Sequence, residues 1–249
     1  MRDDDSVIEG RNVVLEAFRS GRTIDRLFVQ DGLTDGPVRT IVREAKKQKV
    51  VIDFVNKDRL DEMSKTGHHQ GVIAYTAAYS YSTIDDMFAL AKERDEDPFF
   101  IILDEVEDPH NIGAIIRTAE VAGAHGVILP QRRSPGLTAT VAKASAGALN
   151  FLPVAKVTNI NQTIEELKQR GMWFVCADMG GTNMYDLNLT GPIGLVIGNE
   201  GSGVGSLVKK NCDMVASIPM KGQIDSLNAS VACAVLTYEI VRQRRMKIK

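Results

Sequence analysis

The chain has 249 residues, of which 44% are hydrophobic and 25% are charged, and its formal net charge is −2. This composition is that of an ordinary globular protein, and the length allows one large domain or two smaller ones. The pI of about 6.1 excludes a chain that is basic throughout, so any contact with nucleic acid must come from local basic patches.

Cysteine and histidine are too sparse for a disulfide framework or a metal site. The three cysteines, Cys176, Cys212 and Cys233, lie far apart without a CxxC pair, so we expect buried free thiols in a reducing compartment. The four histidines lack the spacing of metal ligands. The N-terminus MRDDDSVIEG is acidic and no apolar run is long enough to span a membrane, so we expect a cytoplasmic protein.

Residues 1–78 predict a small α/β domain. The pattern predicts helices over 10–20, 37–48 and 57–65, alternating with strands over 24–30, 50–55 and 71–78. The candidates for phosphate contacts are Arg11, Arg22, Arg26, Lys46, Lys47 and Lys49. The simpler interpretation of each is a solvated surface charge, because lysine and arginine are mostly exposed in any protein.

Residues 79–97 are acidic and predict a linker with a short helix near 84–92. From residue 98 onward the chain alternates apolar runs with helical or turn segments, which predicts a parallel sheet covered by helices on both faces. The runs are FFIILDEV, HGVILP, FLPVAKV, MWFVCAD, PIGLVIG and MVASIPM.

Two of these runs end in polar turns that contain glycine. The run 194–197 ends at GNEGSG, and the run 214–219 leads through Ser226, Leu227 and Asn228 into an apolar helix. Ligands of open α/β sheets bind outside the carboxyl ends of strands, so we expect both turns to face one crevice with Glu200 among its polar groups. The turn matches neither GxGxxG nor a P-loop, so the pattern does not support a phosphate cradle.

The helix after the first of these six strands contains Asn111 and Arg117 in the segment NIGAIIRTAE. Asn111 alone is equally well explained as a helix N-cap. Arg117 interrupts an apolar face, and a buried arginine would need an anionic partner.

Three segments, LDEVEDPHNIGAIIRTAEVAGAHGVIL, LVIGNEGSGV and IPMKGQIDSLNASVA, resemble in order the motifs of the SpoU family of RNA ribose 2′-O-methyltransferases. This family is the TrmH branch of the SPOUT superfamily, and the resemblance covers roughly residues 99–242. The preceding elements, including the step His69-Gln70-Gly71, resemble the family's small RNA-binding domain. The resemblance implies an α/β fold: a SPOUT-type parallel sheet with a C-terminal trefoil knot over 98–249, a linker over 79–97, and an L30e-like domain over 1–78.

The implied reaction is methyl transfer from S-adenosylmethionine to a ribose 2′-hydroxyl, without a metal ion. The two-domain layout is closest to family members that methylate a guanosine of 23S ribosomal RNA. A tRNA substrate and an RNA-binding protein without turnover remain alternatives. A Rossmann dehydrogenase does not fit, because Glu107-Asp108-Pro109-His110-Asn111 occupies the place of its glycine fingerprint.

The resemblance also implies roles for individual residues. The implied catalytic residues are Asn111, Arg117, Glu200, Ser226 and Asn228, and the implied donor-binding residues are Gly198, Ile218 and Leu227. Glu200 is equally well explained as an anchor within the turn. Arg117 is the family's candidate base, but arginine stays protonated in proteins, so we expect it to clamp a phosphate and stabilise the alkoxide. The family forms homodimers through the last helix, which from sequence is equally well a packed core helix. The basic tail RQRRMKIK is either an RNA contact or a solvated end.

Overall fold

A computed structural model describes residues 7–224 and 226–247, without the side chain of Lys247. The chain divides into two compact units. The first comprises the described residues up to Ser80 together with Gly136–Thr140, and the second comprises Tyr81–Pro135 and the described residues from Val141 onward. The last two residues of the basic tail lie outside the described residues.

The first unit contains a four-stranded sheet of order β1-β4-β2-β3. Its elements are β1 (Val7–Glu9), α1 (Arg11–Arg19), β2 (Ile24–Gln30), α2 (Gly36–Lys47), β3 (Val51–Val55), α3 (Lys57–Met63) and β4 (Val72–Thr76). Buried side chains of α1 and α2, including Phe18 and Ile41, form one core with Leu27 and Val29 of β2. All six predicted elements are present, but β1 was not predicted. Its three residues pair antiparallel with β4 and are too few to give a period-two pattern.

The second unit follows the predicted alternation of strands and helices. Its elements are α4 (Ile84–Glu93), β5 (Phe99–Asp104), α5 (Pro109–Val121), β6 (Gly126–Pro130), α6 (Ala139–Ala144, whose first two residues belong to the first unit), β7 (Val154–Val157), α7 (Ile160–Gln169), β8 (Trp173–Asn183), β9 (Ile193–Gly198), α8 (Ser206–Asn211), β10 (Met214–Ser217) and α9 (Ala229–Lys247). Five of the six apolar runs named from the sequence each contain one whole strand, and β8 begins in the run MWFVCAD but continues to Asn183.

The strands of the second unit form one sheet of order β10-β8-β9-β5-β6-β7. All neighbouring pairs are parallel, as predicted. Met87 of α4, Ile164 of α7 and Val208 of α8 are buried with Phe100 and other strand residues in one core cluster. The helices α5 and α9 pack against each other, and each has buried apolar residues of its own. The later strand β9 lies between β5 and β8, so its carboxyl end adjoins the loop before α5.

The segment predicted as a linker is partly core. Within residues 79–97, α4 begins with a capping box between Thr83 and Asp86, and its Met87 and Ala91 are buried. The backbone N–H of Ser82 donates to the carbonyl of Val154 at 2.9 Å. The short helix predicted near 84–92 is therefore present as α4; its acids are largely exposed while one narrow apolar stripe packs inward.

In the part of the chain that the structure describes, no helix is both long and apolar enough to cross a membrane.

Candidate active site

The loop after β9 is a closed turn held by its own backbone. The N–H of Asn199 donates to the carbonyl of Gly203 at 3.1 Å, and the reverse bond is 2.8 Å. A Cβ on Gly198 would lie 2.2 Å from the carbonyl carbon of Gly203, so glycine is required there. The side chain of Asn199 also donates to the carbonyl of Glu105 at 3.0 Å, which ties this turn to the loop that follows β5.

Three polar side chains from distant parts of the chain meet above this turn. Asn111 Nδ2 donates to Glu200 Oε1 at 2.7 Å, and Asn228 Nδ2 donates to Asn111 Oδ1 at 3.1 Å. Asn228 also donates to the same oxygen of Glu200. We call Asn111, Glu200 and Asn228 the amide–carboxylate cluster. Asn111 is only 6% exposed, and a buried amide is stable only when it is hydrogen-bonded.

The N-cap interpretation of Asn111 is wrong. The cap of α5 is Asp108, whose carboxylate accepts from the N–H of His110 at 2.8 Å. Asn228 is the residue in a capping position, because its Oδ1 accepts from the N–H of Ser230 at 3.0 Å, directly before α9. The carboxamide of Asn111 is therefore available to Glu200.

A cavity lies beside the cluster, at the carboxyl ends of β9 and β10 and next to the middle of β8. Its wall includes the expected donor-binding residues Gly198, Ile218 and Leu227, together with Glu200 and Ser226. We call it the donor cavity. The two glycine-bearing turns therefore face one crevice, as the sequence predicted.

Sequence reasoning missed the contribution of β8 to this wall. Ala177, Asp178 and Met179 line the donor cavity, and Lys209 Nζ lies 2.9 Å from Asp178 Oδ1. The hydrogen bond from Lys209 holds the pKa of Asp178 below its usual value. With Glu200, this places two carboxylates at the cavity. The apolar run MWFVCAD ends in this acid, and a charged residue directly after an apolar run was the available signal.

Arg117 does not belong to the cluster of its own chain. Its side chain is exposed, and no described residue forms an ion pair or hydrogen bond with it, so the expectation of a buried arginine with an anionic partner is wrong. Six positions separate it from Asn111, which on a helix is about 9 Å along the axis and roughly 120° around it. Ile112, Ile115, Ile116 and Ala119 face the core, and position 117 lies on the opposite side.

The RNA-contact candidates of the first unit differ in their surroundings. The guanidinium of Arg11 is 2.9 Å from Asp35 Oδ2, and its Nε donates to the carbonyl of Gln70 at 3.0 Å. Arg11 thus joins the start of α1 to the turn before β4. Arg22 and Lys46 are exposed.

Histidine, cysteine and acidic side chains do not form a metal centre in the described residues: no group of three or more lies close enough to hold an ion. Cys176 and Cys233 are buried, whereas Cys212 is only partly buried. Burial raises the pKa of Cys233 to about 12, so this thiol is not a nucleophile.

Two family models match the chain. Residues 98–238 match the SpoU rRNA Methylase family, and residues 7–82 match RNA 2′-O ribose methyltransferase substrate binding. YacO of Bacillus subtilis, named as a TrmH family tRNA/rRNA methyltransferase, is 47% identical over 246 residues, which is 98% of each chain. A protein of Staphylococcus saprophyticus with the same family name is 44% identical over 242 residues, 97% of each chain.

Solved structures resemble the chain as well. The SpoU methyltransferase AviRb of Streptomyces viridochromogenes, solved in complex with the cofactor AdoMet (S-adenosylmethionine), aligns with a TM-score of 0.60 at 26% identity, over 96% of this chain and 90% of that one. The TrmH/SpoU tRNA modifying enzyme of A. aeolicus aligns with a TM-score of 0.56 at 28% identity, over 66% of this chain and 86% of that one.

Proposed function

Because the chain belongs to the SpoU rRNA methylase family, we propose that it transfers a methyl group from S-adenosylmethionine to the 2′-hydroxyl of a ribose in RNA. The observation that carries this proposal is the amide–carboxylate cluster at the donor cavity, where Glu200 belongs to both. The family uses S-adenosylmethionine, and AviRb was solved with it.

The residues of the donor cavity fit this cofactor. Gly198 lets the backbone of Gly203 fold back against it where a Cβ would collide, and this tight turn brings main-chain groups into the cavity wall, where they can contact an adenosyl group. Asp178 and Glu200 line the same cavity, and their charge is opposite to that of a sulfonium. When bound, the cofactor supplies an electrophilic methyl group, while the chain must orient the ribose and manage the proton of its hydroxyl.

Glu200 orients the other two members of the cluster. One oxygen, Oε1, accepts from Asn111 and Asn228, whereas Oε2 accepts no hydrogen bond from the described residues. We propose that the cluster and Ser226 position the ribose, and that Oε2 is a further acceptor for its hydroxyl. Glu200 then has both roles at once: Oε1 anchors the two asparagines, and Oε2 contacts the substrate.

Arg117 enters the proposal from a second copy of the chain. We expect its guanidinium to clamp an RNA phosphate and stabilise the developing alkoxide, and in its own chain it lies away from the cluster. Exposed apolar side chains on α5 and α9, namely Val121, Val231 and Tyr238, support a homodimer through these helices. Each site would then contain the cluster of one protomer and the Arg117 of its partner.

The proposal extends to the finer points of fold and substrate. The position of β9 between β5 and β8, with β10 at the edge beside β8, supports a trefoil knot in the C-terminal part. The match of residues 7–82 supports an L30e-like RNA-binding domain, with Arg11, Arg22 and Lys46 as candidate contacts, in a cytoplasmic enzyme. A guanosine of 23S ribosomal RNA is the first candidate target, and tRNA is the second because the names of the relatives include both.

The target is tested with unmodified ribosomal RNA and tRNA as separate substrates. Each fraction is incubated with the protein and donor labelled in its methyl group, and the modified ribose is then mapped. We expect label at one ribose of the large-subunit RNA. Label in tRNA alone would show that tRNA, and not ribosomal RNA, is the target. No transfer to either RNA would contradict the proposed activity.

A further inference from the structure

A second cavity lies at the carboxyl ends of β5, β6 and β7. Its volume of about 470 Å³ is within the range of about 300–1,000 Å³ typical of small-molecule sites. It shares no lining residue with the donor cavity. We call it the β5–β7 cavity.

Two partly satisfied polar groups line this cavity. Asp104 is 7% exposed, and its Oδ2 accepts from the N–H of Gly205 at 2.8 Å, which leaves Oδ1 as an acceptor. Asn161 Oδ1 accepts from Asn211 at 2.9 Å, which leaves its Nδ2 as a donor. Asp104 and Asn161 therefore present an acceptor and a donor to the cavity, the combination that reads the edge of a nucleobase.

The cavity also has one available cation. Arg132 and Arg133 both line it, and Arg133 is paired with Glu105. Arg132 is exposed and forms no ion pair with a described residue. A phosphate group is the anion that accompanies a nucleobase in RNA, and an unpaired guanidinium is suited to bind it.

The loops that form the cavity are fixed to each other and to the active site. Glu105 and Arg133 have φ of 59° and 57°, in the left-handed region that non-glycine residues rarely adopt. Their ion pair joins the loops after β5 and β6. The carbonyl of Glu105 accepts from Asn199, the residue directly before Glu200. A ligand in this cavity is thus next to the turn that holds the cluster.

Leu207 gives the cavity an apolar contact. Its side chain is 59% exposed although it lies in the first turn of α8, and Pro130 also lines the cavity. These groups correspond to the three parts of a nucleotide. The apolar side chain suits the face of the base, the donor and acceptor suit its edge, and the cation suits the phosphate.

We propose that the β5–β7 cavity binds a nucleotide of the RNA substrate, with its base against Leu207, its edge at Asp104 and Asn161, and its phosphate at Arg132. This inference rests on the proposed function, because it assumes that the substrate is RNA. It explains how the enzyme holds a strand so that a ribose reaches the cluster.

The test is direct binding of RNA without turnover. Unmodified 23S ribosomal RNA and a tRNA pool are titrated with wild type, Arg132→Ala and Leu207→Ala in the presence of S-adenosylhomocysteine. The control is Lys210→Ala, because Lys210 is also exposed, has no ion pair with a described residue and lies at the other end of α8.

For the more tightly bound RNA, we expect Arg132→Ala to weaken binding at least about fivefold and to lower the salt slope by close to one. Leu207→Ala should weaken binding at least about threefold with an unchanged salt slope. Donor affinity should stay at the wild-type value in every variant.

Binding by either cavity variant within twofold of wild type, an equal loss in Lys210→Ala, or no RNA binding by wild type would overturn the inference. A wild type that binds RNA with this pattern but transfers no methyl group would instead contradict the proposed function and leave the cavity assignment intact.

Discussion

Asn111 at the start of α5 donates a 2.7 Å hydrogen bond to Glu200 in the turn after β9. The two residues are 89 positions apart in the chain, and the parallel pairing of β5 with β9 brings their loops together. Because Asn111 is buried and Glu200 is exposed at the donor cavity, the bond connects α5 to a side chain of the cavity wall. The predictions below begin from this contact.

Glu200→Gln and Glu200→Ala should separate catalysis from stability. Glutamine keeps the acceptor for Asn111 but loses the charge, so we expect turnover to fall roughly 10- to 100-fold with little change in unfolding free energy. Alanine leaves the Nδ2 of buried Asn111 without its acceptor, which should lower the free energy of unfolding by about 1–3 kcal/mol. Urea unfolding and steady-state rates measure the two effects. Equal stability of the two variants would mean that Glu200 does not support Asn111.

Arg117→Ala should remove activity without affecting the fold. The side chain is exposed and has no partner among the described residues, so we expect the unfolding free energy to change by less than about 0.5 kcal/mol. Loss of a group that stabilises developing charge should lower turnover about 100-fold or more. Arg117→Lys distinguishes a forked contact from a point charge, and near wild-type turnover in that variant would rule out the clamp.

Gly198→Ala should weaken donor binding, and Gly201→Ala provides the matched control. A Cβ at 198 would lie 2.2 Å from the carbonyl carbon of Gly203, whereas at 201 the nearest atom, Asn199 Oδ1, is 3.4 Å away. We expect the first substitution to destabilise the protein by about 1–3 kcal/mol and to weaken S-adenosylmethionine binding at least tenfold. Calorimetric titration measures the affinity. Wild-type affinity in Gly198→Ala would place the donor elsewhere.

Asp104→Asn should make the protein more stable at neutral pH. Burial raises the pKa of Asp104, so ionisation costs more in the folded than in the unfolded state. The wild type should therefore lose stability relative to the variant as the pH rises from about 4, the unfolded value, through the raised folded pKa. Below that window both side chains are neutral and the difference should disappear.

Unfolding of Asp104→Asn and wild type across pH 3–8 checks this prediction; a difference that is constant with pH, or that grows on acidification, would contradict it.

The same variant replaces the free acceptor of the β5–β7 cavity with an amide donor. The variant should consequently bind RNA more weakly although it is more stable. This trade-off is expected where a group that destabilises the fold serves binding.

Local patterns predicted the strands well, whereas the roles of the site residues came from the family resemblance and stay predictions. Runs such as FFIILD are buried from end to end in a parallel sheet, and their length and β-branched residues indicate a strand without further information. The glycine of the turn after β9 indicated a close backbone approach. The position of turns at strand ends predicted one crevice between them, and Glu200 and Ser226 of the two turns do line one cavity.

The failures concern properties that only the assembled fold determines. Whether Asp108 or Asn111 caps α5 depends on where the helix begins, and residues in the first turn of a helix compete for that role. Arg117 was assigned to a buried face because its neighbours are apolar, yet the helix turns position 117 outward. The burial of Met87 depends on a core built by much later residues, which a window over 79–97 does not contain.

The central claim is that the transferred methyl group ends on a ribose 2′-oxygen, and alkaline digestion of the product measures this directly. RNA labelled by the protein with methyl-labelled S-adenosylmethionine is hydrolysed in alkali, which requires a free 2′-hydroxyl at each cleaved bond. We expect the label in an alkali-resistant dinucleotide, and we expect Glu200→Gln to lower its yield. Label recovered in a mononucleotide would place the methyl group on a base and would contradict the account.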